Sequence, residues 1–440
     1  MFNLKGINIR KTFQSVSTIW LFSIFGGLLA FFTQALLARN LGPDHFGVFS
    51  SAYATVILFS PLAGFGVSQF LLKVFGEEGF DATRWLPPSF KFTILSTFFV
   101  FSFIFLWAFF GPHSNQTKII ILLLSMCVFG QLIIDFLGTR FQLEERYINF
   151  SFLQLLPHLF RFIFIVLMLV SNVIDIVKVA YVYSSVALAF LIYGVSNLSG
   201  ARSSKFLLKG HSLQFEIIKS PKNIPSVRNV FYQSWPFGLA GFFHLIYFQL
   251  DIVLVGYLIG SKAAGFYSTS FIILTAIYML PLAIYQKFLL PKIHRWSKSD
   301  KQKLYFVYQE GFKLMLLLGV LSAILVIILS PQLLPWLFGD DYFPTVNLLM
   351  ILALSIPFRF LISNSGSILN TRDNMQSKIK AMIAIAIINL VLNLIFIPKY
   401  GAISSAIIMV TCEILLYLIY AKLVKNFFKI TLVNAKHYDY

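Results

Sequence analysis

The chain has 440 residues, of which 58% are hydrophobic and only 12% charged, with 50 Phe and a formal net charge of +18. That is far more apolar surface than a soluble globule can bury, which excludes a soluble enzyme or binding domain. The positive charge alone would suit nucleic acid, so its distribution along the chain decides what it means.

Windows of about 20 apolar residues, the length that crosses roughly 30 Å of hydrocarbon as helix, recur throughout. In chain order they lie near 15–37, 47–71, 91–110, 118–138, 151–171, 174–197, 235–257, 266–290, 311–330, 344–364, 378–397 and 402–421. Helix is the expected spanning form, because lipid offers backbone amides no partners and no alternating barrel pattern is present. The first window is too long for a signal-peptide core and lacks a small-residue cleavage site, so it reads as a retained span. Cys127 and Cys412 both fall inside spans and suggest neither a disulfide framework nor a metal site.

Both termini and every second loop carry 28 of the 35 Lys and Arg. The opposite loops carry Arg39, Lys118, Lys178, Lys262 and Lys399, while Arg161 and Arg359 lie within spans. By the positive-inside rule both termini are cytoplasmic and the number of crossings is even. Membrane orientation thus explains the basic loops, and no nucleic-acid partner is expected.

The expected fold is an all-α membrane protein of about twelve transmembrane helices in two six-helix lobes. The predicted division is an N-terminal lobe at 1–197, a basic cytoplasmic linker at 198–234, a C-terminal lobe at 235–425 and a cytoplasmic tail at 426–440. The linker reads equally as a simple tether or as a short helix on anionic headgroups. A repeat supports the two lobes. "LARNLGPDHFGVFSSAYA" at 37–54 returns as "LVGYLIGSKAAGFYSTSFI" at 254–272, aligning Leu41-Gly42 with Ile259-Gly260, Gly47 with Gly265, Phe49 with Tyr267 and Ser50 with Ser268. Thr139-Arg140 and Thr371-Arg372 form a looser second echo. Six crossings per lobe place both repeats in the same orientation, a parallel repeat about the membrane normal.

Three stretches together carry a family resemblance: "LGPDHFGVFS" after the first span, the run from Asp251 to Tyr267, and "NLVLNLIFIPKYGAISSAII" from Asn389 to Ile408. The chain resembles bacterial polysaccharide flippases of the multidrug/oligosaccharidyl-lipid/polysaccharide exporter superfamily over essentially its whole length. The resemblance implies translocation of an undecaprenyl-diphosphate-linked oligosaccharide, such as an O-antigen unit of lipopolysaccharide, across the bacterial inner membrane by alternating access. Membrane lipids, a polysaccharide polymerase and a chain-length regulator are the implied partners. No cofactor is implied beyond a coupling ion, Na+ or H+. The resemblance also puts the first, second, seventh and eighth spans around a cavity, bringing Gln34, Gln69, His244, Asp251 and Lys287 toward it.

The ionisable groups at membrane depth form the candidate site. Arg161 lies near the middle of the fifth span, ~15 Å from its inner end at 1.5 Å per residue. An arginine there costs on the order of 2.5–3.5 kcal/mol to insert, so it should face protein or water. His158 precedes it by three residues on one helical face. Arg161 and Arg359, with His158 and Lys287, are candidates to hold a diphosphate, because a guanidinium fork matches phosphate oxygens. The competing reading is a structural ion pair, such as Arg161 with Glu413 or Asp135. Asp251, His244, Glu413, Gln34 and Gln69 are the cavity or ion-coupling candidates, each open to a purely structural role. Asn389 and Asn393, four apart, read as hydrogen-bonding groups between helices.

Nothing in the sequence forms a catalytic constellation, so the expected activity is transport. The external loops are too short and too poor in acids for a polymerase. The rival reading is a cation-coupled drug or organic-cation antiporter of the same superfamily, against which two membrane-depth arginines argue. A scaffold within an envelope assembly complex is the third reading.

Overall fold

The computed structural model describes residues 9–199, 224–282, 300–370 and 375–436, together with Ile284, Tyr285, Leu289, Lys292, Ile293, Trp296 and Ser297. Lys287, Thr371, Arg372 and most of the predicted linker lie outside the described residues. Every regular element among the described residues is helical. Nine stretches among them are long and apolar enough to cross a membrane, or ten with a bent pair counted as one span. The protein is a multi-pass membrane protein.

In chain order the helices are α1 (Ile9–Phe59), α2 (Val67–Glu78), α3 (Leu86–Phe110), α4 (Asn115–Leu143), α5 (Tyr147–Val170), α6 (Ile176–Ser199) and α7 (Val227–Leu258). They continue with α8 (Ser261–Leu282), α9 (Lys301–Phe338), α10 (Thr345–Ala353), α11 (Ile356–Ile368), α12 (Met375–Tyr400) and α13 (Ala402–Lys436).

Three sequence expectations are corrected. The second predicted span, 47–71, is not one rod: the chain breaks in a 3-10 turn at Ser60–Leu62 and passes Gly64 and Gly66 at φ 75° and 78° before α2 starts. Pro61 starts that turn, and a Cβ on Gly66 would collide with Gly238 of α7, so glycine is required there twice over. The tenth span, 344–364, is a pair of helices bent by 41° between α10 and α11, with Pro357 in the first turn of the second. The seventh begins at Val227, two turns before the boundary at 235, because Pro236 is accommodated inside the helix.

The opening turn is a kink inside α1. Gly42 takes φ 72° and ψ 168°, and Pro43 begins the second limb. Only glycine adopts that backbone readily, and a residue before proline avoids the helical region, so Leu41-Gly42-Pro43 ends one limb and starts the next.

The chain divides into two compact units: residues 1–33 with 52–245, and residues 34–51 with 246–440. In this grouping the first repeated turn, 34–51, belongs with the second half of the chain, and residues 235–245 with the first. Arg39 Nη1 donates to the Trp336 carbonyl at 3.0 Å and Tyr342 Oη to the Ala38 carbonyl at 3.0 Å, tying this segment to α9 and the turn after it. The two copies of the repeated turn also meet face to face. A Cβ on Gly47 would collide with the Ser261 carbonyl, and one on Gly265 would collide with the Pro43 carbonyl. Ser268 Oγ donates to Ser50 Oγ at 2.9 Å, joining the two equivalent serines. Since Pro43 is the counterpart of Ser261, the contact is reciprocal, as in a two-fold interface between copies of one surface.

Within the first unit, α4 and α6 approach closely at small residues. A Cβ on Gly194 would collide with Ile133, and one on Gly130 would touch the Ala187 Cβ at 3.0 Å. Small residues at such crossings gain dispersion contact that lipid cannot supply.

Candidate functional site

Polar groups at membrane depth gather in one place in the first unit and two in the second. In the first unit, a cavity of about 220 Å³ lies between α4, α5, α6 and the second limb of α1. Its polar walls come from Tyr53, Gln131, Gln154, His158 and Arg161, and Cys127 adds a thiol. His158 and Arg161 reach it together because three residues along α5 is nearly one turn.

Among the described residues Arg161 has no acidic partner. Its guanidinium stacks 4.5 Å over the Tyr183 ring, and Nη2 lies 4.0 Å from the Cys127 sulfur. Its Nε is buried without a hydrogen-bond acceptor. Tyr53 sits edge-on to Tyr183 with ring centroids 5.5 Å apart, so two aromatic rings frame the charge. The two acids named from sequence are held elsewhere: Asp135 accepts from Gln131 Nε2 at 3.0 Å, and Glu413 pairs with Arg359. An Arg161–Asp135 ion pair is therefore not formed, and Glu413 is engaged within its own unit by Arg359. A cation over aromatic faces with one unsatisfied N–H is a ready acceptor of an anion.

In the second unit, Arg359 is enclosed. Nη1 lies 3.5 Å from Glu413 Oε1, with the arginine side chain 11% exposed and the glutamate wholly buried. The guanidinium also packs on Phe248 at 4.3 Å and Tyr278 at 5.6 Å. Both charges need each other, since a buried charge left alone is costly.

Asp251 on α7 has a different environment. Tyr267 Oη donates to its Oδ2 at 2.8 Å, and Asn393 Nδ2 to its Oδ1 at 3.0 Å. Tyr267 and Asn393 are both wholly buried, and Asp251 is 3% exposed. Asn393 thus joins α12 to α7, a hydrogen bond between helices as its position suggested. The carboxylate takes its hydrogen bonds from neutral donors, and it forms no ion pair among the described residues. No group of three or more His, Cys, Asp or Glu able to hold a metal occurs among the described residues.

The remaining candidates are spread out. His244 belongs to the first compact unit and Asp251 to the second, although seven residues on α7 separate them. His244 and Gln69 are exposed, and Gln34 is half-buried on the first limb of α1. Sequence reasoning missed Tyr53, Cys127 and Tyr183 around Arg161; aromatic and thiol side chains in apolar spans carry no local signal of their neighbours. It named Tyr267 for the repeat and for the family resemblance, not as the donor to Asp251.

A family model described as polysaccharide biosynthesis protein matches residues 13–297. The chain belongs to that family. This member of the polysaccharide biosynthesis proteins also matches, over residues 236–398, the model described as MatE. A curated relative, the probable low-salt glycan biosynthesis flippase Agl15 of Haloferax volcanii, is 22% identical over 417 residues, 90% of this chain and 79% of the relative. Among solved structures, the lipid II flippase MurJ in an inward closed conformation superposes with TM-score 0.71 at 15% identity, covering 92% of this chain and 87% of MurJ. An inward-facing multidrug resistance transporter of the MATE family superposes with TM-score 0.65 at 11% identity, covering 91% and 96%. The fold of this family member is therefore the one shared by MurJ and the MATE transporters.

Proposed function

We propose that this protein is a flippase that carries an oligosaccharide linked to a polyprenyl diphosphate across the membrane, with Arg161 receiving the diphosphate. The observation that carries the reading is the Arg161 guanidinium, lining a polar cavity inside an apolar bundle with no carboxylate on its walls and one N–H unsatisfied. An anion completes such a site, whereas a cationic drug would be repelled by it. Family membership and the similarity to the probable glycan biosynthesis flippase of Haloferax volcanii support a glycan cargo. In its finer form the carrier is undecaprenyl diphosphate and the cargo an O-antigen-type unit, moved from the inner to the outer leaflet of a bacterial inner membrane and passed to a polymerase and a chain-length regulator.

The topology proposed with it is twelve crossings, both termini cytoplasmic, and alternating access by the two repeats. Two breaks support that count. The stretch Trp20–Phe110 holds three apolar runs, divided at Gly42 and at the 3-10 segment Gly79–Trp85, and the bent α10–α11 pair adds one more crossing. Asp251 is assigned to coupling with Na+ or H+, on the grounds of a buried carboxylate held by a phenol and an amide rather than by a cation. Arg359 is assigned to the structural pair with Glu413.

A cation-coupled antiporter is the second reading, favoured by Asp251 and by the MatE match. Inorganic pyrophosphate binding to purified protein separates the two. Arg161→Ala should weaken it at least tenfold, and Arg161→Lys by less, because lysine keeps the charge but loses the fork. Binding that is absent in the parent protein would favour the antiporter.

A further inference from the structure

A second cavity, of about 400 Å³, lies on the other side of the polar one. It is a groove between α5 and α6, with Phe160, Phe164, Ala189 and Tyr193 among its walls and no charged side chain among the described residues that line it. Phe160, Phe164 and Tyr193 are each 40–49% exposed, so the groove opens on the face where α5 and α6 meet the hydrocarbon. Val186 and Phe190 line both cavities, and both are buried. The polar pocket around Arg161 and the apolar groove thus lie on two sides of one partition formed by these two side chains.

We infer that the α5–α6 groove holds the first isoprene units of the lipid whose diphosphate binds at Arg161, with Phe190 as the partition between head and chain. The inference rests on the diphosphate assignment above. A diphosphate in the polar cavity is esterified to a chain that cannot remain there, since the 220 Å³ space is too small to hold a polyprenyl chain beside the head. The chain must leave toward lipid, and the groove that shares two wall residues with the cavity is its shortest apolar route. Matching a polar head site to an adjacent apolar slot is how a protein selects an anionic amphiphile from bulk lipid, because hydrocarbon alone gains little on moving from lipid to protein. Phe190 turns about its own side-chain bonds, so the partition can part without a change in the backbone.

The test uses the full-length protein in detergent with a geranylgeranyl diphosphate bearing a diazirine on the isoprene unit next to the diphosphate, and adducts mapped by mass spectrometry. Adducts should concentrate on Phe160, Ala189, Phe190 and Tyr193. Excess inorganic pyrophosphate should cut them at least tenfold. Ala189→Trp fills the groove from its exposed side, so it should fold normally, lose the adducts at the seam at least tenfold and keep pyrophosphate binding. Pyrophosphate-sensitive adducts that map elsewhere would overturn the groove assignment and leave Arg161 as the head site. Adducts at the seam that pyrophosphate does not reduce would mean bulk lipid fills the groove, which also overturns it. Loss of pyrophosphate-sensitive labelling everywhere in the parent protein would remove the head assignment and this inference with it.

Discussion

Arg161 and Arg359 were indistinguishable as residue types at membrane depth, and their surroundings separate them. Arg359 is neutralised by Glu413 at 3.5 Å, so Arg359→Ala strands a carboxylate with no exposure to solvent. Such a loss costs on the order of 3–5 kcal/mol. The expected outcome is a lower melting temperature and poor yield, and Glu413→Gln in the same chain should recover part of both. Arg161→Ala removes a charge that has no buried acid to strand, so the protein should reach the membrane in normal amount and melt close to the parent. A thermal shift series on the three variants checks both statements. Asp251→Asn keeps the shape of the site while removing the charge that Tyr267 and Asn393 serve. Its expected effect is that transport no longer responds to an imposed Na+ or H+ gradient, read in liposomes with either gradient applied. The depth of each of these residues was legible in the sequence, since a charge in an apolar run declares itself. Their partners were not, because Asp251 and Asn393 are 142 residues apart and Arg161 is framed by side chains from α1, α4 and α6.

At the scale of elements, the repeated turn explains why glycine recurs at the same place in each half. Gly42 and Gly260 supply backbone with positive φ, and Gly47 and Gly265 let two backbones touch. Gly47→Leu would drive a side chain into the Ser261 carbonyl, which is backbone and cannot yield, so the expected result is loss of monodisperse protein on size exclusion. Gly76→Leu, where nothing lies within 4 Å of the position, is the control that should behave as the parent. The hydroxyls of Ser50 and Ser268 are 2.9 Å apart, so cysteines placed at both positions should form a disulfide on mild oxidation. Loss of thiol labelling reads it out, since Cys127 and Cys412 are buried. The repeat itself was visible in the sequence, as a spacing. That its two copies bind each other was not, because a local pattern records the shape of a turn and not what lies against it. At the breaks at 60–66 and between α10 and α11, hydropathy averages over a window and passes through a bend without a dip, so only Pro61 and Pro357 mark those places in the sequence.

For the whole molecule, the charge asymmetry and the apolar windows carried the membrane class and the helical fold, because burial in lipid acts on every residue of a span. They could not carry the cargo, since the one proposed here rests on a single cavity in the first unit and its aromatic frame. The proposed topology predicts that cysteines introduced at the N-terminus and after Lys429 are labelled from the cytoplasmic side only, in intact cells against opened ones. The central claim is that a diphosphate-linked glycan crosses the membrane by way of Arg161. Its most direct measurement is the rate at which a fluorescent oligosaccharide on a polyprenyl diphosphate changes leaflet in liposomes holding purified protein. The account predicts protein-dependent movement that falls at least tenfold in Arg161→Ala at equal incorporation, while Arg161→Lys retains part of the rate. Movement at the parent rate in Arg161→Ala would contradict it.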